Sequence, residues 1–147
     1  MTATAAGRIV GLPNPRLTPG ATNPRVTQGS LHTTICVVGY TKSIRPSESY
    51  TEALKFRQLD SGYNLRGNTR ASNYEEDHLI PLEVGGSPSS VSNLWPQPRY
   101  VTWSASKKDA LENTLHRLVC EGAVSLASAQ NVFRSNWIAG YKRYEHS

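Results

Sequence analysis

Long apolar runs are missing from this sequence. Nowhere does it approach the roughly 18 consecutive apolar residues of a membrane-spanning helix, so no membrane partner is expected. Heptads, collagen-like triplets and solenoid-length repeats are also absent, which excludes coiled-coil, fibrous and repeat architectures. Met1-Thr2-Ala3-Thr4-Ala5-Ala6-Gly7-Arg8 lacks the basic segment followed by an apolar stretch that marks a signal peptide, so none is expected in the chain as given. Acidic residues are scarce, 11 against 16 Lys and Arg, which leaves a net charge of +5 and a pI near 9.4. Sulfur is scarcer still, with two Cys and one Met. What remains is 147 residues and 16.2 kDa, one domain's worth, with three Trp, seven Tyr and two Phe to anchor a core. The basic surplus favours a polyanionic partner.

The two cysteines, Cys36 and Cys120, belong to no Cys-x-x-Cys pair, which argues against a structural zinc or thioredoxin-like site. They read either as two buried thiols or as one disulfide tying the amino-terminal region to the carboxy-terminal helix. Each follows an Ile or Val at the expected edge of an element, which points to the disulfide. Such a bond suits an oxidising compartment.

Residues 1–30 hold four Pro and four Gly and predict an extended arm or loops, with residues 31–147 as a single domain. The β-branched run Thr33-Thr34-Ile35-Cys36-Val37-Val38 predicts a strand. Ser49 with Glu52 has the spacing of a capping box, opening a helix that carries Tyr50, Ala53, Leu54 and Leu59 and stops at Gly62. Residues 60–73 read as loop. Leu79-Ile80 predicts a short strand limited by Pro81, Gly85-Gly86 a turn, and Val91 to Trp95 a second apolar piece. Residues 104–120 read as a helix with Leu111, Leu115 and Leu118 on one face. A last helix is expected over 125–143, its stripe made by Leu126, Ala129, Val132, Phe133 and Trp137.

Chemistry concentrates in residues 76–93. An Asp-His pair enters a short strand, a Gly-Gly turn follows, Asn93 lies on the return segment, and a helix comes next. A carboxylate oxygen is a hard ligand suited to Mg²⁺ or Mn²⁺. A neighbouring His can take a proton from an attacking water. An Asn across the loop can bond backbone and fix the His rotamer. The following helix must supply a third group.

The order Asp77-His78, Pro81, Gly85-Gly86, Asn93-Leu94 resembles the HNH (ββα-metal) nucleases. The wording Tyr74-Glu75-Glu76-Asp77-His78-Leu79-Ile80-Pro81-Leu82-Glu83 and Asn93-Leu94-Trp95-Pro96 is similar to that of small exported bacterial proteins of the same superfamily. The resemblance implies an α+β fold: a ββα-metal core over about residues 74–120, with a short β-hairpin and flanking helices. It implies His78 as general base, Asp77 as metal ligand, and Asn93 as the residue orienting the His-bearing loop. The family places a His or Asn early in the helix, yet Tyr100 to Lys107 contain neither. Asp109, Glu112 and His116 share a helix face further on and are the candidates for that ligand. Either acid suits Mg²⁺ or Mn²⁺; His116 suits Zn²⁺ or Ni²⁺. The residues leave the choice open.

Basic residues are spread along the chain. Arg66, Arg70, Arg99, Lys107 and Lys108 flank the Asp-His segment in sequence and are the candidates for holding phosphates, with little base reading expected. The expectation is a metal-dependent endonuclease acting on DNA, with RNA as a second substrate, and export as its location. The alternatives are a catalytically impaired HNH-like module that binds nucleic acid or protein, and a cytoplasmic location.

Overall fold

The computed structural model describes residues 10–145, so the first nine residues of the expected arm lie outside the described residues. The chain is mixed α and β. The described residues form four α-helices, α1 (Tyr40–Ile44), α2 (Glu48–Asp60), α3 (Ala105–Cys120) and α4 (Leu126–Tyr144), and one antiparallel hairpin of β1 (Tyr74–His78) and β2 (Leu94–Pro98). No described helix is long and apolar enough to cross a membrane.

Local signals set the helix ends. The Ser47 hydroxyl accepts from the Tyr50 amide and caps α2, with Glu48 in the first turn and Gly62 just past the end. The cap therefore stands two residues before the expected Ser49. Ser125 caps α4 in the same way through the Ser128 amide. The α3 stripe of Leu111, Leu115 and Val119 packs on Ala129, Phe133 and Trp137 of α4 to make the main core, to which Ile80 and Val84 contribute from the loop between the strands. Leu118, expected on the α3 face, is only partly buried. Helix α4 is broken at Asn136, and Gly140 beyond the break packs back on Val132 of the same helix, where a side chain would clash.

The strands fall next to the expected positions. Residues 74–78 and 94–98 pair, with Asp77 opposite Trp95 and His78 opposite Leu94. The Leu79 amide still bonds across to the Asn93 carbonyl at 2.8 Å, but the Ile80 amide turns to the Asn93 side chain and the ladder ends there, with both side chains buried. Val91 to Asn93 forms a 3-10 turn instead of strand. Helix α2 covers one flank of the hairpin: Lys55 Nζ donates to the Tyr74 carbonyl at 3.1 Å and Gln58 Nε2 to the Leu94 carbonyl at 3.0 Å.

The strand expected over 33–38 is not there. A 3-10 helix, Gln28–Thr33, runs into turns closed by local bonds: Thr34 and Cys36 amides to the Leu31 carbonyl, and Val37 to Thr34. β-branched residues favour a strand only where a partner edge exists, and none lies beside this segment. It is anchored by burial of Leu31 and Ile35 and by the Cys36–Cys120 disulfide, which spans 84 positions with Cα atoms 5.8 Å apart. A disulfide is compatible with an oxidising, extracellular setting.

Residues 10–27 contain no regular element and are packed down along their length. The Trp137 indole N–H donates to the Gly11 carbonyl at 2.8 Å, the Gly20 amide to Ser92 at 2.9 Å, and the Asn23 amide to Gly85 at 2.8 Å. The segment thereby clasps the loop that joins β1 to β2.

Candidate active site

Asn93 organises that loop. It is fully buried and all of its side-chain capacity is used. Oδ1 accepts from the Ile80 amide at 3.0 Å and the Ala21 amide at 3.3 Å; Nδ2 donates to the Ile80 and Ser87 carbonyls, both at 3.0 Å. Gly85 takes a left-handed turn with φ +88°, and Gly86 lies so close to the Ile80 carbonyl and Asn93 Nδ2 that no side chain fits. Asn93→Asp keeps the shape but turns two donors into acceptors facing two carbonyls. It is expected to lower unfolding stability by about 2–3 kcal/mol, read from denaturant melts, because buried acceptors are left facing one another; a variant as stable as the parent contradicts this account of the loop.

The loop delivers the Pro88 carbonyl to His78, whose Nε2 lies 2.8 Å from it. A carbonyl only accepts, so Nε2 carries the proton and the neutral ring keeps its lone pair on Nδ1. Burial lowers the His78 pKa below its usual value, more than the Pro88 bond and the Asp77 charge raise it. At neutral pH the ring is therefore uncharged and able to accept a proton.

His78 opens on a cleft of about 390 Å³, also lined by Thr41, Arg45, Glu75, Asp77, Glu83, Asp109, Glu112 and Asn113. Four elements build it: β1, the segment after Pro81, α3, and α1 with the residue that follows it. The carboxyls of Glu75, Glu83, Asp109 and Glu112 are all raised. Burial is the leading cause in each, and neighbouring carboxylates add to it. Asp77 Oδ2 and Glu112 Oε2 each lie 2.9 Å from Lys108 Nζ.

Such a donor set fits a hard divalent cation: all its donors are oxygens, and their mutual repulsion is what a bound positive charge relieves. Among the described residues no three His, Cys, Asp or Glu side chains converge as a ready-made cage. A cation here would keep several waters, as Mg²⁺ does.

The sequence candidates are distributed unevenly. Asp77, His78, Asp109 and Glu112 reach the cleft, while Asn93 stands behind it. His116 does not line it. Its Nε2 is engaged by the Ile35 carbonyl at 2.8 Å and lies 3.6 Å from Cys120 Sγ, because the disulfide draws that turn onto the end of α3. The softer-metal alternative, Zn²⁺ or Ni²⁺, rested on His116, which stands outside the cleft.

Lys108, expected among the phosphate-binding cations, is fully buried and cannot meet a polyanion. It faces inward because it stands one turn before Glu112 on the side of α3 that meets β1. Arg99 pairs with Glu75 at 3.6 Å on the rim, Lys107 sits 4.9 Å over the Trp103 ring, and Arg66 and Arg70 are exposed on the loops before β1. Arg45 was only one basic residue among many in the sequence, yet it lines the cleft together with the acids. Its closeness in sequence to Cys36 was the available signal, since the disulfide holds that segment against α3. Compared with protein-family models, with curated proteins and with solved structures, the chain matches none.

Proposed function

We propose that the chain is a metal-dependent phosphodiesterase of the ββα-metal (HNH) type that cleaves DNA, with RNA as a second substrate and little sequence preference. One observation carries the reading: His78 is held through Nε2 with its Nδ1 lone pair free, on the wall of an acidic cleft. The succession of β1, a Gly-Gly loop pinned by an Asn, β2 and α3 supports it, being the order in which that family builds its site.

His78 Nδ1 takes a proton from a water in the cleft. The water oxygen forms the new bond to phosphorus, and the bond to the leaving sugar oxygen breaks. Asp77 and Glu112, with Asp109 at the rim, would hold a Mg²⁺ or Mn²⁺ ion. When bound, that cation supplies positive charge against the charge developing on the phosphate oxygens. Arg45 reaches the same cleft and is placed to meet a phosphate; Arg66, Arg70, Arg99 and Lys107 offer further positive charge to the strand on either side, so binding weakens as salt rises. The disulfide supports an exported protein working in an oxidising compartment.

Incubation with supercoiled plasmid tests the proposal. Nicked circles are expected with Mg²⁺ or Mn²⁺ and none with EDTA. Plasmid left intact under every divalent cation overturns the enzyme reading in favour of a binding module on the same frame.

A further inference from the structure

The proposed mechanism leaves Lys108 without a part, although it is the most enclosed charge among the described residues. Its side chain is 0% exposed. Its ammonium meets three acceptors, the His78 carbonyl at 2.7 Å and Asp77 Oδ2 and Glu112 Oε2 at 2.9 Å each, and the Phe133 ring lies 5.2 Å away. It donates hydrogen bonds to the His78 carbonyl and to Glu112 Oε2, and holds Asp77 Oδ2 as an ion pair. Releasing any of them would strand a buried charge, which fixes the group in place.

From this we infer that Lys108 is a positioning residue that selects which cation the cleft accepts; the inference rests on the phosphodiesterase reading in taking Asp77 and Glu112 as the ligands. By occupying Oδ2 of one carboxylate and Oε2 of the other, Lys108 leaves a single oxygen of each, Oδ1 and Oε1, for the cleft. Mg²⁺ binds through one or two carboxylates and fills its octahedron with water and substrate oxygens. Ca²⁺ is larger, takes six to eight oxygens, and often draws both oxygens of a carboxylate. A site rationed to one oxygen per carboxylate suits the smaller ion. Lys108 also cancels one of the two carboxylate charges, which weakens binding of either divalent ion alike, so the Ca²⁺ to Mg²⁺ affinity ratio isolates the geometric effect. Through the His78 carbonyl the same ammonium ties α3 to the strand that carries the base.

The test is NMR titration of the full, disulfide-intact chain with Mg²⁺ and with Ca²⁺, for the parent and for Lys108→Met, which keeps the unbranched stem. The parent is expected to bind Mg²⁺ more tightly than Ca²⁺. In the variant the Ca²⁺ to Mg²⁺ affinity ratio is expected to rise about tenfold or more, the scale on which groups bonded to metal ligands act. A variant that unfolds leaves a second measurement on the parent alone: the Lys108 ammonium should give a slowly exchanging signal that persists at saturating Mg²⁺. An unmoved affinity ratio in a folded variant, or loss of the ammonium signal on Mg²⁺ saturation, overturns the inference and leaves the phosphodiesterase reading standing. A parent that binds neither ion overturns both.

Discussion

His78→Ala is expected to lower plasmid cleavage by about 10²–10⁴-fold, the contribution of a positioned general base, while DNA binding and the thermal melt stay close to those of the parent. The cations proposed to bind DNA, Arg45, Arg66, Arg70 and Arg99, lie outside the substitution, and the lost Pro88 bond is one of many that hold the loop. The proposal also sets the pH profile. Burial places the His78 pKa below the ordinary 6.5, and the base works in its neutral form. Cleavage should therefore rise with pH through an apparent pKa below that of a free imidazole and level off before neutrality. Stability follows the same sign: the unfolded chain protonates His78 first as pH falls below 6.5, so this residue's contribution is full above that value and is lost in acid. A His78→Ala protein that nicks at the parental rate ends the base assignment. A plateau beginning above pH 7 would contradict the buried, neutral ring.

Reduction of Cys36–Cys120 should produce the largest stability loss of any change that leaves the cleft residues untouched. A cross-link closing a loop of 84 positions is worth up to about 4–5 kcal/mol in the chain-entropy account, and removal from small domains typically costs about 2–5. That is a large share of the roughly 5–15 kcal/mol that holds a domain folded. The effect should extend to function, since the segment it tethers leads through α1 to Thr41 and Arg45 on the cleft wall. Thermal melts with and without reductant, and of Cys36→Ser, are the measurement; a melting temperature unmoved by reduction, with both thiols shown to be free, contradicts the assignment. DNA affinity should fall in the reduced protein, and an unchanged affinity would separate Arg45 from the tether.

Glu76 marks where reasoning from local sequence stops. Flanked by charged residues, it reads as a solvated acid, but pairing of β1 with β2 and the cover of α2 half-bury it with neither carboxylate oxygen hydrogen-bonded among the described residues. Burial pushes its carboxyl up to about 8, against the pull of Lys55. Lys108 departs in the same way. Its spacing to Glu112 marks an ordinary surface pair on a helix, and only the closure of α3 onto β1 turns that pair into a buried bridge to Asp77. The failed strand at 33–38 shares this cause, since a β-branched run needs an edge to pair with and this one found a disulfide and a helix end instead.

By itself the sequence determined the turns, the caps and the spacing that places Asp77, His78 and Asn93 around one loop. These are local matters: Gly85 and Gly86 admit a backbone course that side chains forbid, and Ser47 and Ser125 satisfy amides in the first turns of their helices. Tertiary structure alone decided which charges face the cleft. Arg45 arrives there from far along the chain, Lys108 is withdrawn from solvent, and His116 is turned to the Ile35 carbonyl. The reason is that burial and Coulomb energy depend on what packs against a side chain, and those neighbours lie tens of residues away, out of reach of any local pattern.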